Sequence, residues 1–78
     1  MDNFSEQAKV FNNLALSYMR FGQYEEALAH SLESLQLIQQ DREQDKRLEA
    51  IILDTLGNIY SYLGDKEKSL FYLHKCLT

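Results

Sequence analysis

The sequence predicts an all-α fold: four helices in two antiparallel hairpins, with no strands. Two observations carry that expectation. The first is an internal repeat. Leu14, Tyr18, Gly22, Glu25 and Leu28 recur as Leu56, Tyr60, Gly64, Glu67 and Leu70, each 42 residues later. A fixed period of this order marks stacked helical hairpins, each of which needs its neighbour to bury an apolar face. The second is apolar spacing of three and four residues, in a chain with no proline and only three glycines.

The first helix is expected to start near Asn3, because Glu6 follows at the spacing of a capping box. Its apolar stripe reads Val10, Phe11, Leu14, Tyr18 and Phe21. Gly22 then stands where a left-handed residue ends a helix with least strain. A second stripe runs Tyr24, Ala27, Leu28, Ser31, Leu35 and Ile38, with Glu25 and Glu26 in the first turn, favoured by the helix dipole. From Gln39 to Lys46 the chain is polar and the periodicity stops. Asp45 is the expected N-cap of the third helix, whose stripe is Ile52, Leu53, Leu56, Tyr60 and Leu63. Gly64 ends it, and Asp65 caps a fourth helix carrying Leu70, Leu73, Cys76 and Leu77. Short glycine-containing connections force successive helices to lie side by side.

Size and charge exclude several function classes. A chain of 78 residues is at most one small domain with a thin stability margin. Its net charge is −4, and the one basic cluster, Arg42, Lys46 and Arg47, is interleaved with Asp41, Glu43 and Asp45. That is a poor footprint for a phosphate backbone, so no nucleic-acid partner is expected. Cys76 is the single cysteine and forms no intrachain disulfide; a small buried residue is the expectation for it. His30 and His74 belong to no helix-spaced pair and are expected on the surface. No catalytic constellation, metal cluster or cofactor site is expected. No apolar run has membrane length, so no membrane partner is expected, and the cytoplasm is the expected compartment.

Small residues also recur at the repeat offset: Ala8 with Ala50, Ala15 with Gly57, Ala27 with Ser69, Ser34 with Cys76. Ala15 against Ala27, and Gly57 against Ser69, would let the two helices of each hairpin approach closely. With these residues in place, the stretch Phe11-x-x-Leu14-Ala15-x-x-Tyr18, followed by Gly22, Tyr24 and Ala27, resembles the tetratricopeptide repeat (TPR) family. Leu53-x-x-Leu56-Gly57-x-x-Tyr60, followed by Gly64 and Ser69, resembles it again. The resemblance covers about residues 8 to 78 and implies a single domain, a short stacked α-α superhelix. Repeat one takes about 8–41, a linker 42–49, and a truncated repeat two about 50–78. The family's usual period is about 34 residues with a proline near the repeat end. Here Gln39 stands at the proline position and the extra residues fall in the Gln39–Lys46 joint. That resembles the longer-period subgroup of bacterial peptide-sensing regulators, kinesin light chains and cell-polarity adaptors.

The resemblance implies a non-catalytic module that binds a protein or peptide. It places Lys9, Asn12, Asn13, Leu16, Met19 and Arg20 in a peptide groove from repeat one. Repeat two would add Asp54, Thr55, Asn58 and Tyr62, with Ile51 and Ser61 beside them. Of the cationic and amide set that some relatives use to grip a C-terminal carboxylate, only Asn13 fits; Asp54 and Thr55 depart from it. Phe71 and Tyr72 stand where repeat one has Ala29 and His30. With Leu73 and Leu77 they form an expected association surface, and Leu32 could extend it. A homo-oligomer such as a dimer, or docking on a further repeat, is the expected use of an uncovered last helix. The alternative reading is a dimerisation or sensory spacer belonging to a larger bacterial signalling protein.

Overall fold

A computed structural model describes residues 3–42 and 45–77; Glu43 and Gln44 of the expected linker lie outside the described residues, as do Met1, Asp2 and Thr78. It contains α1 (Phe4–Arg20), α2 (Tyr24–Gln39), α3 (Lys46–Tyr62) and α4 (Lys66–Leu77), with no strand among the described residues. The starts follow local chemistry. Asn3 Oδ1 accepts the Glu6 N–H at 3.1 Å, Asp45 Oδ1 accepts the Leu48 N–H at 3.1 Å, and Asp65 Oδ1 accepts the Lys68 N–H at 3.1 Å. Each satisfies one amide that a helix start leaves unpaired.

The two hairpin turns have the same hydrogen bonds. The Gly22 N–H donates to the Met19 carbonyl and the Gln23 N–H to the Tyr18 carbonyl, at 3.0 and 2.9 Å. In repeat two, Gly64 donates to Ser61 and Asp65 to Tyr60, at 3.1 and 2.9 Å. This pair of bonds needs a left-handed residue after the helix, and Gly22 and Gly64 have φ of 77° and 84°. A Cβ at either position would meet nothing within 4 Å, so conformation, and not space, selects glycine there.

α1 pairs with α2 and α3 with α4, and the hairpins join because α3 lies against both α2 and α1. α4 packs on α3 alone. The main core joins Ala8, Leu37, Ile38, Leu48, Ile52, Leu56 and Tyr60, and a second cluster joins Ala15, Ala27 and Ile59. Ala15 and Ala27 are both fully buried, in keeping with a close helix approach. In repeat two, the Ser69 hydroxyl donates to the Gly57 carbonyl at 2.8 Å. The repeat extends to a tertiary hydrogen bond: the Ser34 hydroxyl donates to the Ala8 carbonyl at 2.6 Å, and the Cys76 thiol to the Ala50 carbonyl at 3.2 Å.

Several stripe residues lie elsewhere than expected. Val10 is 57% exposed and Phe21 79%, and Leu14 is also exposed. α1 has helices on two sides only, and its buried residues are Ala8, Asn12 and Ala15. Leu63, Leu70 and Leu77 are likewise exposed, while Leu37, absent from the expected stripe, is buried. Cys76 is half-buried, since α4 has a helix on one side only.

Candidate interaction surfaces

The first surface is formed by α1 and α3, which lie side by side. Lys9, Asn13, Leu16 and Arg20 recur every three or four residues along α1 and are all exposed. On α3, Asp54, Asn58 and Tyr62 are exposed, as are Ile51 and Ser61. Asn58 Nδ2 donates to Asp54 Oδ2 at 3.4 Å, one helical turn apart. Lys9 makes a solvent-exposed ion pair with Glu6 at 3.4 Å. Tyr62 has one ring face on Tyr24, with centroids 4.8 Å apart and planes within 5°. That stack crosses from repeat two to repeat one and holds the ring in place while leaving the residue largely exposed.

Three of the expected groove residues are withdrawn from solvent. Asn12 is buried, and its Oδ1 has no protein hydrogen-bond partner. Thr55 is buried with its hydroxyl donated to the Ile51 carbonyl at 3.0 Å. Met19 is half-buried against the Ala15–Ala27–Ile59 cluster. The cause is common to all three: α1 and α3 touch, so the side of each helix facing the other lies in the seam and not on the open face.

The second surface is α4. Phe71 is exposed, with the Lys75 ammonium 4.7 Å from its ring centroid. Tyr72 and Leu73, expected beside it, are half-buried inside their own hairpin. Tyr72 stacks on Tyr60 at 5.5 Å, and Leu73 fills the space over Gly57, where a Cβ would lie 2.5 Å from its side chain. Leu70 and Leu77 take their place on the open side. Periodicity identified these leucines as apolar-face residues, but only the missing second neighbour of α4 explains their exposure. Leu32 is exposed on α2, which has no contact with α4.

His74 is exposed, whereas His30 is half-buried between the rings of Phe11 and Tyr18, at 5.9 and 5.1 Å. The Tyr18–His30 stack is the repeat-one counterpart of Tyr60–Tyr72, so His30 serves the hairpin and not the surface. Burial pushes the Tyr60 hydroxyl above its ordinary value of 10.0, with Tyr72 and Asp65 adding to the shift. Among the described residues no group of three His, Cys, Asp or Glu side chains could hold a metal ion, and no helix is long and apolar enough to cross a membrane.

Comparison with curated proteins and with solved structures gave no match. The family model of the tetratricopeptide repeat matches residues 6–78. Such repeats are protein-interaction scaffolds and are typically non-catalytic. The match takes in all but the first five residues, together with both glycine turns and all the hairpin contacts described above. This chain belongs to the tetratricopeptide repeat family.

Proposed function

We propose that this chain binds an extended polypeptide along the α1–α3 face, as a scaffold without catalysis. One observation carries the reading: two adjacent helices leave Asn13, Leu16 and Arg20 exposed beside Asp54, Asn58 and Tyr62. An extended peptide offers amide donors and acceptors that no strand partner satisfies. The Asn13 and Asn58 carboxamides can each donate and accept. Arg20 suits a peptide carboxylate or carbonyl, and Asp54 a peptide N–H or cation. Leu16 and the Tyr62 ring provide apolar contact, and Tyr62 is held by Tyr24, so less freedom is lost on binding. The lone Cys76 suits a reducing compartment, and the cytoplasm is the place we assign to the chain.

Selection from a displayed library of linear peptides, followed by amide-shift mapping, tests this reading. Binders should perturb Asn13, Leu16, Arg20 and Asn58, and Asn13→Ala or Arg20→Ala should each weaken binding about five- to tenfold. Binders that map to α4, or that ignore both substitutions, would overturn it.

A second reading, self-association through α4, is favoured by the exposure of Leu70 and Leu77 on one helix. In a longer signalling chain that association would make the segment a dimerisation spacer.

A further inference from the structure

We infer that copies of this chain associate head to tail, with the outer face of α1 in one copy seated on the open α3–α4 end of the next. The inference rests on the self-association reading and names the surface that α4 meets. Its warrant is the repeat. The molecule already contains one interface between consecutive hairpins, and the 42-residue offset shows which residues would form the next.

One half of the internal interface comes from α3, where Ile52, Leu56 and Ile59 are fully buried. Their counterparts on α1 are Val10, Leu14 and Ser17, and all three are exposed. The other half comes from α2, where Leu28 and Leu35 pack against the cluster that holds Ile52 and Leu56. Their counterparts on α4 are Leu70 and Leu77, which are 67% and 86% exposed. Each open face is therefore the equivalent of one half of an interface that forms, and neither is the equivalent of its own partner half. A second copy supplies the missing half to both. Such an interface is heterologous, so every added copy leaves a free face at each end and growth does not stop at two.

The equivalence fails at two places, and both weaken the contact. Tyr24 and Tyr62 stack across the internal interface, but their counterparts are Lys66 and Arg20, two cations. Asn12 is buried there, but its counterpart is Asp54, whose carboxylate would have to leave water. Association is thus weak and reversible. Phe71 takes no part, because its counterpart Ala29 remains exposed beside the intact internal interface.

Light scattering and sedimentation equilibrium on the 78-residue chain test this. The average mass should climb with concentration and show no plateau at the dimer. Leu14→Glu spoils only the α1 face and Leu70→Glu only the α4 face, so each alone should stay monomeric, at least about tenfold weaker in association. Mixed, they should form a one-to-one heterodimer through the two intact faces. Phe71→Glu should change nothing. Asp54→Asn, which restores the residue of repeat one, should tighten association a few-fold. A wild-type chain that is monomeric at every concentration would overturn self-association as a whole. A dimer plateau that survives Leu14→Glu, with no heterodimer on mixing, would overturn the head-to-tail mode alone. Peptide binding on the α1–α3 face is read separately, in the Leu70→Glu variant.

Discussion

Repeat one and repeat two share a motif and divide their volume differently. In repeat one, Ala15 and Ser31 are both fully buried, and the Ser31 hydroxyl has no protein partner. At the same positions repeat two has Gly57 and Leu73, a smaller residue opposite a larger one. The neighbours differ as well. α2 packs against both α1 and α3, whereas α4 touches α3 only. The signature leucine shows the consequence: Leu56 is fully buried, and Leu14 is exposed. A repeat motif thus specifies a hairpin, while the burial of its second face is set by whatever stacks on it.

The largest expected effect follows from that leucine pair. Leu56→Ala removes a fully buried side chain from the main core and should cost about 2–5 kcal/mol. Leu14→Ala should change stability by less than about 1 kcal/mol, as surface changes usually do. A domain of this size holds only about 4–12 kcal/mol in total, so the first variant should be unfolded or nearly so at modest denaturant. Urea midpoints measure both. Equal losses at the two leucines would break the comparison, because they would mean that α1 is covered as well as α3.

This contrast also shows how far the residues alone could be read. The caps at Asn3, Asp45 and Asp65 and the glycine turns were legible because each depends on a few adjacent residues. The burial of Ala15 and Ala27 in one cluster was legible from residue size. Which apolar residues reach the core was not. Val10, Leu14 and Leu70 have the right spacing, yet they lie on faces without a neighbour. The same limit applies to the candidate groove. Asn12 and Thr55 read as surface polar residues, and their burial depends on the α1–α3 seam, which periodicity within one helix does not contain. His30 was misplaced for a related reason: only tertiary packing brings it between Phe11 and Tyr18.

A smaller effect probes the volume exchange inside the hairpins. Gly57→Ala gains about 1 kcal/mol of helix propensity. Its Cβ would stand 2.5 Å from Leu73 and 3.3 Å from the Ser69 carbonyl oxygen, an overpacking that costs typically about 1–3 kcal/mol. The added Cβ would meet Leu73 Cγ as well as Cδ2, so moving the end of the side chain alone does not relieve it, and the strain should win by about 1 kcal/mol. In a Leu73→Ser background the clash with Leu73 is gone and only the 3.3 Å contact with the Ser69 carbonyl oxygen remains. The pair of side chains becomes that of Ala15 and Ser31. There Gly57→Ala should stabilise. A double-mutant cycle reads the sign change directly; additive effects would show that the two positions do not compete for one space.

The smallest effect lies at the start of α2. Gln23 makes no side-chain cap bond, whereas its counterpart Asp65 accepts the Lys68 N–H. Gln23→Asp should supply that bond to the Glu26 amide and gain about 0.5–1 kcal/mol. The new charge sits beside Glu25 and Glu26, both exposed, and their repulsion should remove a few tenths of a kcal/mol. The helix dipole acts in the opposite sense by a similar amount, so the cap bond decides the sign. Gln23→Asn makes the same bond without the charge and should gain at least as much. In thermal melts either variant should rise by roughly 2–8 °C, given the steep dependence for domains of this length. If neither moves, the start of α2 is held by Tyr24 against Tyr62 and not by its cap. Tyr62→Ala should then lower the melting temperature more than any cap variant changes it, because the contact between repeats, and not the local turn, would be what orders repeat one.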